Sequence, residues 1–467
     1  MARPGIKILL INPPSRGIYQ RLGFILPPLG LGYLAAVLER DGHAVEIWDA
    51  DQRRKPSLPL ANYRLVGVSC DTGKADQALA IMSQAKRAGV TVVAGGPHPA
   101  FVPHESFAAG ADYVVHGEGE DVLRDLAAAL AAGQPEPVII PGLSAKSGDG
   151  TVHGGHRAPP RLLDDLPFPA RHLLDMNHYT KLELRRRKIT PIITSRGCPF
   201  RCEFCASSAF SGTNWRVRSA HSVADEVQLV VKQYGFKAVA FTDDAFMLNT
   251  KRVAAIAEGL LARNLDVLWW CFARADTVLA HPELLPLIHR SGARTVFIGI
   301  ECGSQAGLDE LSKGTSVEHA REAVALLRRH GIDTLASFIL GVPGETRHSV
   351  NATIRFARKL RPAAAQFSLL TPYPGTALHA RLQQRIWSKD WRMYDCLHPT
   401  FHLDHLSPRQ LTRALHKAYR VFYLTPGRIA AGFLSGFRGK GIKVHKVWKH
   451  LRNIGGDPGT TADVTYD

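Results

Sequence analysis

Apolar runs of strand length alternate with amphipathic stretches over residues 1 to about 130. The runs are KILLIN, AVEIWDA, LVGVSC, TVVAGG and YVVHGEGE, and helix-like spacing appears between them, as at residues 30–40 and 75–88. This alternation at short spacing predicts an open, doubly wound (Rossmann-like), mostly parallel α/β sheet with helices on both faces. Ligands of such sheets bind beyond the carboxyl ends of the strands.

A second β/α series begins near residue 188. Its apolar runs are PIITS, AVAFTDDA, LWWCFARAD, TVFIGIE, TLASFILGVPGE and AQFSLLTPYPG. Six strand–helix units over about 190 residues predict a partial, TIM-like (β/α)6 barrel with reactive groups at the C-terminal ends of its strands.

These patterns divide the chain into four predicted regions. Residues 1–135 form the first domain and residues 188–385 form the barrel. Residues 136–187 are richer in Pro and Gly, which predicts a linker, and residues 386–467 are predicted to be a small, mainly helical and basic region.

The composition excludes several classes of protein. A chain of 467 residues, 45% hydrophobic and 21% charged, is neither a disulfide-stapled miniprotein nor globally disordered. No uncharged apolar stretch reaches 18 residues, and the run at residues 6–11 is too short for a signal peptide. The seven cysteines are odd in number and four are scattered singly, which argues against a secreted disulfide framework. We therefore expect a cytoplasmic protein.

The strongest chemical signal is a cysteine cluster placed directly after the first strand of the second series. Cys198, Cys202 and Cys205 have the spacing C-x3-C-x2-C. Three thiolates in one loop can ligate three irons of a [4Fe–4S] cluster and leave the fourth iron open to chemistry. A zinc site would need a fourth nitrogen or sulfur ligand, and no Cys or His stands at finger-like spacing. The three cysteines are therefore the predicted metal ligands.

This loop resembles that of the radical SAM superfamily, whose signature is C-x3-C-x-aromatic-C after the first barrel strand. The resemblance implies that S-adenosylmethionine chelates the open iron and is cleaved by one electron to a 5′-deoxyadenosyl radical. It continues through FTDDAF, through Arg274 and Asp276, and through IGIE and GVPGET. The S-adenosylmethionine contacts that it implies are Phe204, Asp243, Arg274, Glu301 and Gly303. Cys302 departs from the family pattern, where Ser is usual, and we expect a small buried residue there rather than a further ligand.

The first domain resembles the cobalamin-binding domain that precedes many radical SAM barrels. The resemblance covers about residues 5–130 and rests on LPPLGLGYLAAVLERDGHAVEIWDAD and VVAGGPHPAFVPHE. The contacts predicted at the strand ends are Asn12, Ser69, Gly95, Gly96, His98, Gly117 and Glu118. From spacing alone, these strand ends are equally typical of tight βα turns. His43 has Asp41 two residues before it, but Glu46 stands where a cobalt-binding motif has glycine, so we interpret His43 as a turn residue.

The pairing of the two domains implies the function. In methylating members of the family, methylcobalamin and a 5′-deoxyadenosyl radical together methylate an unactivated carbon. We therefore predict a cobalamin-dependent radical SAM C-methyltransferase with a small-molecule substrate and a flavodoxin- or ferredoxin-type electron donor. The alternative is a cyclase or ring-remodelling enzyme acting on a tetrapyrrole or a related substrate. A cobalamin- or light-sensing protein is a third hypothesis, and the intact cysteine triad argues against it. No catalytic residue is predicted, and Tyr373 and the cysteines are only available candidates for quenching a radical.

The C-terminal part of the chain carries a strong positive charge. Between Leu406 and Asn453 there are 11 Lys and Arg and no Asp or Glu, against a net charge of +17 for the whole chain. Basic residues interleaved with aromatic ones, such as Phe422 and Tyr423, favour an anionic membrane surface, and nucleic acid is less favoured because no recognisable RNA-binding module is present. A solvated helical face is the simplest alternative. Peripheral association with the inner face of the cell membrane would suit a lipophilic substrate, such as a polycyclic terpenoid lipid or a tetrapyrrole precursor.

Overall fold

The computed structural model describes residues 5–15, 25–52, 59–426 and 428. Contacts divide the chain into two compact units. The first runs through residue 181 and also includes Ala209–Gly212 and Arg216–Arg218. The second contains Leu182–Ser208, Thr213–Trp215 and the chain from Ser219 onward. The four region boundaries from the sequence stay predictions.

The first unit is built on a seven-stranded sheet in its described residues, with the strand order β2-β1-β3-β4-β5-β6-β7. The strands are β1 (Lys7–Asn12), β2 (Ala44–Asp49), β3 (Leu65–Ser69), β4 (Thr91–Gly95), β5 (Tyr113–Val115), β6 (Leu143–Ser147) and β7 (Gly150–His153). Strands β1 to β5 are parallel, whereas β6 and β7 are antiparallel to their neighbours. The helices of this unit are α1 (Leu29–Arg40), α2 (Ala75–Arg87), α3 (Pro97–Phe101), α4 (Pro103–Ala108) and α5 (Glu120–Ala131). The predicted Rossmann-like parallel sheet is confirmed.

The β6–β7 hairpin lies within residues 136–187, which the sequence pattern predicted as a linker. Three polar side chains in contact with one another join this hairpin to the end of β5. The Ser144 hydroxyl lies 2.6 Å from Nε2 of His116 and 2.6 Å from Nδ1 of His153. Both imidazoles border a cavity of about 300 Å³ that Ser144, Arg157 and their neighbours also line. The hairpin therefore extends the first sheet, although β7 is exposed along its whole length.

The second unit contains the curled sheet of a partial barrel, with the strand order β16-β15-β14-β13-β12-β9-β8 among its described residues. Its strands are β8 (Glu183–Leu184), β9 (Arg187–Ile192), β12 (Ala238–Phe241), β13 (Leu268–Ala273), β14 (Ala293–Glu301), β15 (Asp333–Leu340) and β16 (Ala364–Leu369). All neighbouring pairs from β9 to β16 are parallel, and only β8 is antiparallel. Six described strands therefore form the predicted (β/α)6 half-barrel, which is confirmed.

Helices connect these strands and cover the sheet. They are α7 (Ala220–Lys232), α8 (Thr250–Ala262), α9 (Ala275–Ala280), α10 (Leu285–Arg290), α11 (Gln305–Glu310), α12 (Val317–Arg329), α13 (Arg347–Leu360), α14 (Ala377–Leu382) and α15 (Pro408–Tyr423). The short elements β10 (Ser195–Arg196), α6 (Ala206–Ser211) and β11 (Arg216–Val217) flank the cysteine loop. None of the described helices has both the length and the apolarity needed to cross a membrane.

The open edge of the half-barrel, β16, is capped by tyrosines from α15. Tyr419 Oη lies 3.2 Å from the backbone nitrogen and 2.9 Å from the carbonyl oxygen of Phe367. Tyr423 Oη contacts the same two groups of Ala365 at 3.1 and 2.8 Å. Each phenol therefore takes the hydrogen bonds that a further strand would have made.

This helix changes the interpretation of the basic C-terminal region. Phe422 is 1% exposed and Tyr423 bonds to β16, so neither aromatic side chain is presented to a membrane. The stretch from 386 to 407 was predicted to be helical, but its regular elements are one 3₁₀ turn, Trp391–Met393, and a β-bridge between Ile386 and Phe401. Polar groups bond locally there, as Asp390 does with Arg392. The other basic and aromatic residues of the prediction, from 429 to 453, lie outside the described residues.

Candidate active site

The cysteine loop begins where β9 and β10 end. Asp243, just beyond β12, fixes the chain before the loop: its carboxylate accepts hydrogen bonds from the backbone nitrogen of Thr194 at 2.6 Å and from the Ser195 hydroxyl at 2.8 Å. The Thr194 hydroxyl also donates to it. Burial raises the pKa of Asp243 more than these hydrogen bonds lower it, so the pKa lies above its ordinary value. Asp243, predicted to bind S-adenosylmethionine, therefore lies at the base of the loop with its carboxylate engaged in holding residues 194–195.

The three cysteines differ in exposure. Cys198 is buried, whereas Cys202 and Cys205 are partly accessible. In the described part of the chain, no three His, Cys, Asp or Glu side chains converge on a point that would hold a single metal ion. A cubane cluster binds three cysteines through three different irons, so its ligands need not converge on one point. Three free thiols on one loop after a strand fit a cluster of this kind.

Two positively charged side chains act on the thiol of Cys202. Burial raises the pKa of its thiol, and the positive charges of Lys313 and Arg274 oppose that rise. Since cluster ligands are thiolates, nearby positive charge favours the ligating form and balances the charge of a bound cluster.

Arg274, which follows β13, is held in one orientation. Its guanidinium lies 3.8 Å from the ring centre of Phe200 in the cysteine loop. It forms an ion pair with Asp276 at 2.8 Å and donates to the carbonyl oxygens of Lys313 and Gly314. The structure thus places Arg274, a predicted S-adenosylmethionine contact, beside the cysteine loop. Several of its N–H groups already donate to acceptors of the protein.

Glu301 lies at the end of β14, where the register with β15 shifts. Its backbone has a φ of 62°, the left-handed region that non-glycine residues seldom adopt. Oε1 accepts a hydrogen bond from Lys313 Nζ at 2.6 Å, and both side chains are about nine-tenths buried. A Cβ on Gly299 would meet the Glu301 carboxylate, so a side chain there would displace this pair. The bulge directs Glu301 towards Lys313 and the cysteine loop.

Gly303 and Cys302 pack against the barrel wall. The Gly303 nitrogen donates to Thr353 Oγ1 at 3.1 Å, and a Cβ at this position would lie 2.7 Å from the Thr353 Cα on α13. Gly303 therefore permits a close approach of the strand end to the helix. Cys302 is fully buried in an apolar cluster, which confirms the expectation of a small core residue.

Helix α14 ties the barrel to the cysteine loop. The Leu378 nitrogen donates to the carbonyl oxygen of Glu203 at 3.0 Å. Arg381 bridges the carboxylates of Glu203, at 2.9 Å, and Glu310, at 2.6 Å. Phe204, the aromatic residue of the cysteine motif, packs against the apolar cluster that contains Leu378.

The GVPGET segment after β15 is closed by Glu345. Its Oε2 accepts hydrogen bonds from the backbone nitrogens of Gly341 at 2.8 Å and Val342 at 3.0 Å. Burial raises the pKa of this carboxyl more than the two backbone hydrogen bonds lower it, and the net pKa is about 7.

A polar network occupies the carboxyl ends of β1 and β2 in the first unit. The Asn12 amide donates to Asp49 at 2.7 Å, and its oxygen accepts from Lys74 at 2.9 Å. Asp49 also accepts from the buried Tyr179 hydroxyl at 2.6 Å. Asn12, a predicted cobalamin contact, is thus fixed by groups that the sequence did not single out.

The ends of β3 and β4 lie side by side, with Ser69 and Gly95 paired in register. Gly96 has a φ of 104°, and a Cβ there would lie 2.6 Å from the carbonyl oxygen of Cys70. This close approach requires glycine. His98 is fully buried with its Nε2 3.1 Å from Glu105, so its ring packs inside the unit.

The loop after β5 contains the last two predicted cobalamin contacts. Gly117 has a φ of 85°, and nothing lies within 4 Å of a Cβ built there. Glu118 forms a buried ion pair with Arg216, which also donates to the carbonyl oxygen of Pro160 at 2.8 Å. The loop thus combines open space at Gly117 with a fixed carboxylate at Glu118.

His43 lies at the N-terminal ends of the strands, in the turn between α1 and β2. Its Nδ1 accepts a hydrogen bond from the backbone nitrogen of Ile6 at 3.2 Å. Both residues precede their strands, whereas ligands bind at the carboxyl ends. The interpretation of His43 as a turn residue is confirmed.

Sequence reasoning missed the charged residues that organise the site, chiefly Lys313, Arg381 and Arg216. Each is paired with a residue at least 12 positions away along the chain. A single basic residue normally indicates a solvated surface, so the sequence offers no local signal for these roles.

Comparison with known protein families matches both halves of the chain. The model of the radical SAM superfamily matches residues 192–357. The model of the B12 binding domain matches residues 15–127.

Individual proteins are similar over most of their length. An uncharacterized methyltransferase of Pyrococcus horikoshii is 36% identical, covering 90% of this chain and 93% of its own. The anaerobic magnesium-protoporphyrin IX monomethyl ester cyclase of Rubrivivax gelatinosus is 29% identical, covering 90% and 78%. A solved structure, the radical S-adenosylmethionine methyltransferase TsrM from Kitasatospora setae with cobalamin and a [4Fe-4S] cluster bound, has a TM-score of 0.69, with 24% identity over 82% of this chain and 78% of that one. This last likeness bears on the fold.

Proposed function

Because this chain belongs to the radical SAM superfamily and carries a B12 binding domain, we propose that it is a cobalamin-dependent C-methyltransferase that acts on an unactivated carbon. The observation that carries this proposal is the presence, in one chain, of a three-cysteine loop at the mouth of a half-barrel and a cobalamin-type sheet. When bound, the cluster with S-adenosylmethionine supplies a 5′-deoxyadenosyl radical and cobalamin supplies the methyl group. The protein itself binds, orients and shields these groups.

The proposed cluster ligands are Cys198, Cys202 and Cys205. Their support is the loop position after β9, together with the positive charge of Lys313 and Arg274 near Cys202. Asp243 acts as a positioning residue, because its carboxylate holds residues 194–195 at the start of the loop.

The proposed S-adenosylmethionine site lies at the ends of β13 and β14. Arg274 stacks on Phe200 of the loop, Glu301 pairs with the Lys313 that lies over Phe204, and Phe204 supplies an apolar wall. The Glu301–Lys313 pair holds a buried carboxylate in place, suited to an amino or hydroxyl group of the ligand. Gly303 contributes by letting the strand end approach α13.

The proposed cobalamin site lies along the carboxyl ends of the first sheet. Gly96 and Gly117 have positive φ values, so their loops bring bare backbone to the ligand side. Asn12, Ser69 and Gly95 border the same edge, and Glu118 is fixed by Arg216. The fully buried His98 ring contributes by supporting this edge.

A cyclase is the alternative function, supported by the 29% identity to the Rubrivivax gelatinosus enzyme. The methyltransferase is favoured because the Pyrococcus horikoshii relative has higher identity, 36%, with nearly complete coverage of both chains.

The finer proposals concern the partners. The substrate is a small, lipophilic molecule, and the electron donor is a flavodoxin or a ferredoxin. The basic residues beyond 428 associate with the inner face of the cell membrane through anionic lipid. Flotation of the full chain with anionic and zwitterionic vesicles tests this: we expect binding to anionic vesicles at low salt and release at high salt. Absence of binding at low salt would contradict the membrane proposal alone.

The decisive experiment follows an isotope-labelled methyl group. The protein is reconstituted anaerobically with cluster and hydroxocobalamin, reduced, and given S-adenosylmethionine with a deuterated methyl group. Mass spectrometry of the extracted cobalamin should then find the label. Cobalamin that stays unlabelled while 5′-deoxyadenosine accumulates would overturn the methyltransferase and favour the cyclase.

Two cysteine variants control this experiment. Cys202→Ala should abolish 5′-deoxyadenosine formation, because it removes a proposed cluster ligand. Cys271→Ala, a change of a fully buried core residue of β13, should leave it in place.

A further inference from the structure

Tyr373 and Cys396 form a hydrogen-bonded pair beyond the last strand of the half-barrel. Tyr373 Oη lies 3.3 Å from Cys396 Sγ and donates to the carbonyl oxygen of Tyr394 at 3.0 Å. Either the phenol or the thiol can supply the hydrogen in the contact between Oη and Sγ.

Tyr373 begins a segment that reaches the cysteine loop. Tyr373 follows β16, whose C-terminal end is where a barrel places its reactive groups. The Tyr373 carbonyl oxygen accepts the Thr376 hydroxyl at 2.7 Å, and two residues later the Leu378 nitrogen donates to Glu203 in the loop. Tyr373 therefore stands five residues before the position at which its segment bonds to the cysteine loop.

The backbone of Cys396 is unusual. Its φ is 62°, in the left-handed region, where glycine or asparagine is the ordinary choice. In this conformation its carbonyl oxygen accepts the Leu369 nitrogen at 2.7 Å while its thiol, which is partly accessible, reaches Tyr373. A cysteine at a position that disfavours a side chain is an outlier that points to a use for the thiol.

We propose that Tyr373 and Cys396 are a hydrogen-atom donor pair that quenches carbon-centred radicals at the mouth of the half-barrel, an inference that rests on the radical chemistry of the proposed function. Thiol S–H and phenol O–H bonds are weaker than the C–H bond of an alkyl group, so transfer to a primary carbon radical runs downhill. The pair thereby limits damage when a radical forms without being used.

The atoms and electrons balance in three steps. The carbon radical takes the hydrogen atom of the Cys396 thiol, which forms a C–H bond and leaves a thiyl radical. The thiyl radical takes the hydrogen atom of the Tyr373 hydroxyl, which restores the thiol and leaves a phenoxyl radical. One electron from the low-potential donor that also reduces the cluster, with one proton from solvent, restores the phenol.

Aromatic side chains lead from the pair towards the surface. The Tyr373 and Tyr394 rings have centroids 6.3 Å apart, and the Tyr394 and Trp391 rings 4.9 Å apart. Trp391 is partly exposed. This series offers the returning electron a route to Tyr373.

Abortive turnover in D₂O tests the proposal without knowledge of the substrate. The full-length protein, loaded with cluster and exchanged into D₂O, receives dithionite and unlabelled S-adenosylmethionine, with no added thiol. Its 5′-deoxyadenosine is analysed by mass spectrometry. We expect one deuterium in much of the product, because S–H and O–H hydrogens exchange with solvent whereas C–H hydrogens do not. Tyr373→Phe and Cys396→Ser should each lower the deuterated fraction severalfold.

The control variants are Tyr63→Phe, whose hydroxyl bonds to Glu46 in the first unit, and Cys271→Ala, in the core of β13; both should leave the deuterated fraction unchanged. An unchanged fraction in Tyr373→Phe and Cys396→Ser, or no deuterium in the unaltered protein, would overturn the pair while leaving the proposed function standing. Failure to form any 5′-deoxyadenosine would instead overturn the radical chemistry on which both rest.

A second measurement needs no cofactor. The Tyr373 hydrogen bond lowers the pKa of the Cys396 thiol, although burial raises it overall. Alkylation of Cys396 by iodoacetamide, followed by peptide mass spectrometry across pH, should therefore shift to higher pH in Tyr373→Phe and not in Tyr63→Phe. An unshifted profile in Tyr373→Phe would contradict the hydrogen bond between the two side chains.

Discussion

Lys313 supplies a buried positive charge beside the carboxylate of Glu301, and together with Arg274 it surrounds Cys202 with cations. A lysine that is about nine-tenths buried remains charged only because it is paired: burial lowers its pKa, but the Glu301 charge raises it overall. The pair therefore makes a fixed local field at the proposed S-adenosylmethionine site. The cysteine motif itself predicts three ligands, but it says nothing of the charge around them.

Removing one partner of this pair should be costly. Lys313→Met leaves the Glu301 carboxylate buried and unpaired, and we expect a loss of about 3–5 kcal/mol in the free energy of unfolding. Urea denaturation of the cofactor-free protein measures it. The double variant Glu301→Gln/Lys313→Met should lose less than Lys313→Met alone. A loss in the double variant equal to the sum of the Glu301→Gln and Lys313→Met losses would show that the two side chains do not interact.

Glu345 should make stability depend on pH. Its folded pKa of about 7 exceeds the ordinary value of 4.5, so the folded state holds the proton more tightly than the unfolded state. The stabilisation from this group is complete below about pH 4.5 and is lost as the pH rises through 7, a change on the order of 3 kcal/mol. Glu345→Gln should flatten this dependence in urea denaturation at pH 5 and pH 8. Parallel pH profiles for the two proteins would contradict the assignment.

At the scale of elements, the parallel strands could be predicted because both of their faces are buried. In β1, five of the six residues are buried, which produces a continuous apolar run. The β6–β7 hairpin was missed because β7 is exposed throughout and carries no apolar alternation. The contacts of α15 with β16 were also beyond the sequence, since Tyr419 meets Phe367 across 52 positions.

The capping tyrosines should carry measurable stability. Tyr419→Phe and Tyr423→Phe each leave one N–H and one C=O of β16 without their partner, so we expect each to cost about 1–3 kcal/mol of unfolding free energy. Tyr63→Phe is the control, because its hydroxyl bonds to Glu46, whose side chain is 52% exposed. If all three variants lost the same amount, the backbone bonds would have no special role.

At the scale of the whole molecule, the sequence predicts two cofactor-binding folds in one chain, and family comparison agrees. What it does not predict is how the chain is shared between units: Ala209–Gly212 and Arg216–Arg218 follow the cysteine loop yet belong to the first unit. There Arg216 pairs with Glu118, a contact across 98 positions. Such long-range pairing depends on the completed fold and leaves no local pattern.

Cobalamin should stabilise the folded chain through its own site. At a concentration of about 100 times the dissociation constant, a ligand that binds only the folded state adds about 2.7 kcal/mol. We expect hydroxocobalamin, without reductant or S-adenosylmethionine, to raise the melting temperature of the unaltered protein. Gly96→Ala should remove this shift, because the added methyl group meets the Cys70 carbonyl oxygen. Gly30→Ala, at a position with open space, is the matched control. A shift that persists in Gly96→Ala would place cobalamin elsewhere.

The tyrosine hydroxyl groups of α15 that bond to β16 have a consequence for the protein before it binds its cofactors. A half-barrel that ends in a bare strand offers a template on which a second polypeptide can add by β-pairing. At Ala365 and Phe367 that template is already occupied by groups of the same chain. A newly made chain that waits for its iron and corrinoid is thereby protected from edge-to-edge association, by side chains that take no part in the chemistry.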